Sequence, residues 1–197
     1  VNKLVIYILI CFTTGCNQKN ILNAHQLAEW FQDTKNGYRV VKNSNQYTFD
    51  LQLRPILYEK ALSIINNYNN DEEILNDDLS YYFTLKIKHH SGSDISTINT
   101  QNQMDKIEKN LYYLSYIMED DVFLVQGNDT IKPLYFIYEK PYNLSKYSTF
   151  NFCFTLENIK EKSDIVFVID GGFFNTLPVK FKFSKEDIYN HPKLKNS

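Results

Sequence analysis

The chain has 197 residues, 22 % of them charged, and a formal net charge of −2, with no run of five or six like charges. That balance excludes a nucleic-acid partner as an expectation. The length suits one domain able to bury a proper core.

Lys3 and the free amine form a short basic start, residues 4–12 are uninterruptedly apolar, and Thr13, Thr14 and Gly15 lead into Cys16. So short an apolar stretch cannot cross a bilayer core, which takes about 20 residues in a helix. The segment reads as an export signal. Its end, Thr13-Thr14-Gly15-Cys16, resembles the lipobox of bacterial lipoproteins. The resemblance implies that residues 1–15 are a signal peptide and that Cys16 is acylated. Residues 16–22 would then be a lipidated tether, and residues 23–197 a single globular domain. Several acyl chains would hold such a domain firmly, since one chain of myristoyl length binds only marginally. Asn17 stands where aspartate favours inner-membrane retention in Gram-negative sorting, so the resemblance also implies the outer membrane, facing the periplasm or the cell surface. Lys3 leaves with the signal, and the remaining chain lacks the basic cluster that would hold it on anionic lipid. The acyl chains on Cys16 are thus the expected membrane contact. Cys11 is lost with the signal and Cys16 is consumed, so Cys153 stands alone, without an intrachain disulfide partner.

Asn23 is placed to N-cap a helix running to about Asp33, with Leu27, Trp30 and Phe31 as its apolar stripe. Strands are expected over 38–42 and 46–53, joined by a turn at Asn43-Ser44-Asn45; alternation in the second leaves one face wet. Pro55 suits the first turn of a helix over 56–66, with Leu57, Ala61, Ile64 and Ile65 on one side. Residues 66–78 read as an exposed acidic, amide-rich loop, and 79–88 as a strand whose alternation runs Tyr81, Phe83, Leu85, Ile87. From 103 to 118 the period becomes helical, with Met104, Ile107, Leu111, Leu114 and Met118 at steps of three and four. Residues 122–126 and 131–138 flank Gly127-Asn128-Asp129-Thr130 and read as a hairpin. Further strands are expected over 147–156, 164–169 and 178–183, followed by a helical turn over 185–188.

About eight strands and three helices without regular alternation indicate an α+β fold, mainly antiparallel and β-sandwich-like, with a single helix-covered sheet as the second architecture. The strand-rich C-terminal half, ending in Asp164-Ile165-Val166-Phe167-Val168-Ile169-Asp170 and 178–188, resembles small uncharacterised lipoproteins of Bacteroidota. That resemblance carries no activity.

No catalytic, metal or cofactor site is expected. His25, His89, His90 and His191 show no metal-ligand spacing, and adjacent His89 and His90 point to opposite faces of a strand. Asp71-Glu72-Glu73, Asp77-Asp78 and Glu119-Asp120-Asp121 lack the EF-hand pattern, and Asp170-Gly171-Gly172 matches neither a phosphate loop nor a nucleophile elbow. Cys153, beside Phe150, Phe152 and Phe154, is expected to be buried. Asp129-Thr130-Ile131 resembles the O-glycosylation sequon of exported Bacteroidota proteins, which makes Thr130 a modification candidate. With 15 Tyr, some rings are expected at the surface, where Tyr serves protein interfaces and sugar stacking. Three functions follow in order: a non-enzymatic module binding another envelope protein, a glycan-binding module using exposed tyrosines, and a hydrolase assembled from distant residues.

Overall fold

A computed structural model describes residues 21–67, 80–141, 144–155 and 163–195. The signal segment, Cys16 and residues 17–20 lie outside these, as does the expected loop beyond Asn67. Within them the fold is α+β, with four α-helices and eleven strands.

β1 (Ile21–Leu22) leads into α1 (Ala24–Gln32). Asn23 and Gln26 form a reciprocal capping box at its start, each side chain accepting from the other's backbone N–H. A short 3-10 turn ends at Gly37, whose φ of +77° suits glycine; a Cβ there would lie 2.5 Å from the Asp187 carboxylate. β2 (Arg39–Ser44) and β3 (Tyr47–Arg54) pair through a two-residue turn in which Asn45 takes positive φ. α2 (Ile56–Ile65) follows Pro55, and β4 (Ser80–His89) pairs with β3 from Tyr82 to His89. α3 (Met104–Tyr112) gives way to a π-helical turn, Tyr113–Ile117, and a 3-10 turn, Met118–Asp121. Then come β5 (Val122–Gln126), β6 (Asp129–Ile131), β7 (Tyr135–Glu139), β8 (Ser148–Thr155), β9 (Ile165–Ile169), β10 (Val179–Phe183), α4 (Lys185–Tyr189) and β11 (Lys193–Leu194).

The strands form a five-stranded antiparallel sheet, β2-β3-β4-β8-β7, and a four-stranded one, β10-β9-β5-β6. Their facing surfaces meet in a layer of phenylalanine, giving a sandwich-like core. Phe167 of β9 lies 5.1 Å from Phe83, 5.5 Å from Phe152 and 5.9 Å from Phe154 between ring centroids. Phe83, Phe152 and Phe154 alternate with outward-facing neighbours on β4 and β8, so the period of two builds this layer. Burying one such ring contributes about 1.5–3 kcal/mol. α2 lies over the other face of the five-stranded sheet and packs against α1.

Four expectations change. The run 131–138 is two strands in different sheets: β6 pairs with β5, whereas β7 pairs with β8. Pro133 lacks an N–H and breaks the ladder between them. The helix expected to 118 keeps regular α geometry only to Tyr112, and Met104 is exposed, because the segment meets the core only from Tyr113 onward. Ile64 is exposed rather than buried, and Tyr58 takes the inward position on α2. Finally, Ile21 and Leu22, expected in the tether, form β1 and pair in parallel with β11, which a two-residue strand could not announce.

Candidate functional site

The outer face of the five-stranded sheet carries the most organised polar chemistry among the described residues. Register sets one row across all five strands, Arg39, Gln52, Thr84, Asn151 and Ile137, flanked by Arg54, Tyr82, Cys153 and Tyr135 on one side and by Asp50, Lys86, Thr149 and Glu139 on the other. Arg39 donates to both Asp50 oxygens, at 2.8 and 2.6 Å. Arg54 does the same to Glu59 of α2, at 2.7 and 2.8 Å. From Arg54 a chain continues across the sheet: Arg54 Nη1 donates to Thr84 Oγ1 (3.1 Å), Thr84 to Asn151 Oδ1 (2.7 Å), and Asn151 Nδ2 to Glu139 Oε1 (2.6 Å).

α2 roofs this face, and Tyr58 and Leu62 close a cleft of about 350 Å³ above Asp50, Gln52, Thr84 and Lys86. A second cleft of about 270 Å³ lies on the other side of Arg54, among Ile56, Tyr82, Tyr135 and Ile137. Arg54 thus divides one polar and one largely apolar compartment. The face expected to be wet is therefore partly covered, and Asp50 is buried. Its two-point bond to Arg39 supplies the charge-assisted partner a buried carboxylate needs. The same bond raises the Arg39 pKa.

This geometry suits binding better than acid-base catalysis. Asp50 and Glu59, the carboxylates lining the clefts, are each held in a fork with arginine, which occupies their oxygens. The apolar compartment opens toward β7, beyond which no described strand pairs. Leu134 is 69 %, Tyr135 42 % and Ile137 52 % exposed. The π-helical turn, which carries exposed Tyr116 and Ile117, lies near β7. An unpaired edge with outward apolar side chains is a template for another chain.

The residues singled out from sequence do not gather here. Cys16 lies outside the described residues. Thr130 is exposed on β6, opposite Val125, on the other sheet. Cys153 is buried, between Tyr82 and Tyr135 in register. His89 and His90 separate: His89 is buried between Gln46 Oε1 (2.9 Å) and Ser91 Oγ (2.7 Å), whereas exposed His90 reaches Thr48 (3.2 Å). Burial, then His90, lowers the His89 pKa. The Ser91-His89-Gln46 series looks like a nucleophile and base. However, Ser91 is two residues from His89, its N–H also donates to Nδ1 (3.2 Å), and its hydroxyl contacts Ser93. It serves as a turn cap and lines none of the clefts described above. His25 is the second residue of α1, and the His191 ring centre lies 6.0 Å from that of Phe31. No three His, Cys, Asp or Glu converge among the described residues. Asp121 of the acidic run accepts from Tyr113; burial, then that bond, raises the tyrosine pKa. Asp170 accepts from Gly172 N (3.2 Å) within its own turn. Tyr112 and Tyr116 are exposed, but their rings are tilted by 44°, not the coplanar platform a sugar face needs.

Arg39, Arg54, Glu59 and Asn151 drew no attention in the sequence. Their only signal was their place on the polar side of alternating strands, or beside a proline-started helix. Comparison of the chain with protein-family models, curated proteins and solved structures finds no match.

Proposed function

We propose that this chain is a cell-envelope lipoprotein, acylated on Cys16, whose domain is a non-enzymatic module binding an extended segment of another envelope protein along β7. The lipobox supports the address, with the outer membrane as destination. The observation that carries the binding mode is the β7 edge, unpaired among the described residues, with Leu134, Tyr135 and Ile137 exposed beside the cleft of Ile56 and Tyr82. An added strand gains main-chain hydrogen bonds from the edge, and alternate side chains find the cleft and the apolar surface. The glycan and hydrolase readings draw less support, since the exposed Tyr pair is tilted and the cleft carboxylates are bound to arginine.

The test places a photo-crosslinking residue at Ile137 or, as control, at Lys180 on the other sheet's exposed face, in the native cell. The proposal expects one discrete protein adduct from position 137, absent from position 180 and lost when Tyr135→Lys is added to a chain with unchanged circular dichroism. No adduct, together with saturable retention on cell-wall or capsular sugar, would sink the protein-binding reading. Intact mass of the native chain beside Cys16→Ser checks the anchor separately: acyl mass present in the first and missing from the second.

A further inference from the structure

β1 is bonded to β11 in parallel register, Ile21 beside Lys193 and Leu22 beside Leu194, and Lys195 N donates to Leu22 O at 2.8 Å. Asn23 then caps α1 immediately. The chain entering the domain is therefore pinned to one spot. Residues 17–20 alone separate Cys16 from that spot, and even fully extended they allow a reach of roughly 18 Å. A domain of this length is roughly 40 Å across from its expected radius of gyration. A tether that short does not let an anchored domain present any side at will.

The surface around the spot is suited to lipid. Ile21 is 65 % and Ile64 54 % exposed. Ile64 is one of the α2 residues whose spacing predicts burial, and here it lines a broad groove of about 620 Å³ with Ala24, His25, Glu29, Leu194 and Lys195. Lys193 and Lys195 are exposed on the same strand pair. Apolar side chains with lysines beside them match the boundary of acyl chains and headgroup phosphates. The acyl chains would supply the affinity, and this face needs only to select an orientation.

We infer that the face formed by Ile21, Ile64, Lys193 and Lys195 rests on the lipid surface that holds the anchor, so that the domain stands in a fixed orientation. The inference rests on acylation of Cys16. The occupant is a phospholipid leaflet, because the reach of the tether brings that surface to this face.

The test uses the complete acylated chain, its acyl mass verified, in vesicles of phosphatidylethanolamine and phosphatidylglycerol. Ile64→Cys and Lys180→Cys variants carry an environment-sensitive fluorophore, with buried Cys153 protected from the label. Lys180 lies on the exposed face of the other sheet, across the sandwich from α2. The expected result is a blue shift at position 64 on reconstitution, with quenching by nitroxide-bearing lipid several-fold stronger than at position 180. Equal quenching at both positions on acylated protein would overturn the oriented face alone. A blue shift at 64 that is present without vesicles and insensitive to the nitroxide would assign the groove to protein, a second copy included, and also overturn it. Absence of acyl mass would overturn the anchor and the face together.

Discussion

At the residue scale, His89 ties the protein's stability to pH. Its Nδ1 accepts from Ser91 N–H, which places the proton on Nε2, where it bonds Gln46 Oε1. The ring is neutral in this arrangement, and a second proton would displace the Ser91 bond inside a buried site. Burial therefore lowers its pKa below the ordinary 6.5. The unfolded chain then binds the proton more readily than the folded one, so stability rises with pH between the folded and unfolded pKa values. The contribution is fully present above about 6.5 and is lost as pH falls toward the folded value. His89→Gln, which cannot titrate, should flatten the acid side of a Tm-against-pH curve between neutral and mildly acidic pH. An unchanged slope in the variant would place the acid sensitivity on other groups.

At the element scale, α1 has a cap that can be removed without touching the core. Asn23 and Gln26 satisfy one N–H each at the helix start, and Asn23→Ala should cost about 1 kcal/mol in urea unfolding, with Asn23→Ser close to the parent. An Ala variant as stable as the parent would mean that β1 and β11 hold the helix start unaided. This cap was legible in the sequence because capping is local, as were the alternations of β3, β4 and β8 and the Gly127-Asn128 turn. The crossing from β6 to β7 was not. Residues 131–138 read as one strand, and only pairing partners distant in sequence decide that Ile131 joins β5 while Tyr135 joins β8. The candidate site was hidden for the same reason. Asp50 was visible as a polar residue on an alternating strand, but Arg39 opposite it, Glu59 on α2 and Asn151 two strands away come together only through register and the fold of α2 over the sheet. Ile64 shows the reverse case, an apolar residue at helical spacing left exposed while Leu57, Ala61 and Ile65 pack against the core.

At the scale of the whole molecule, the two sides of the sandwich are finished differently. On one, Lys42 of β2 reaches across to donate to the Lys180 carbonyl of β10 and lies 5.7 Å from the Phe181 ring centre, tying the sheets together. On the other, the connection through Lys132, Pro133 and Leu134 leaves β7 at the margin with its apolar surface outward. The contrast between the closed and the open side is why the proposed partner is placed along β7. Burial of Cys153 on the outer face of the five-stranded sheet, in register with Tyr82 and Tyr135, determines what thiol chemistry reveals about the chain's processing. Cys153 is 2 % exposed, so a thiol reagent meets it only after unfolding, when buried groups become accessible. A mature chain acylated on Cys16 should therefore give no reactive thiol when native and one in denaturant. A processed chain lacking the acyl groups should gain one thiol in each state, since Cys16 lies ahead of the first strand. Reading one native and two denatured thiols would remove the anchor and free Cys16 to react. A disulfide with Cys153 would still require the cover over that buried cysteine to open first.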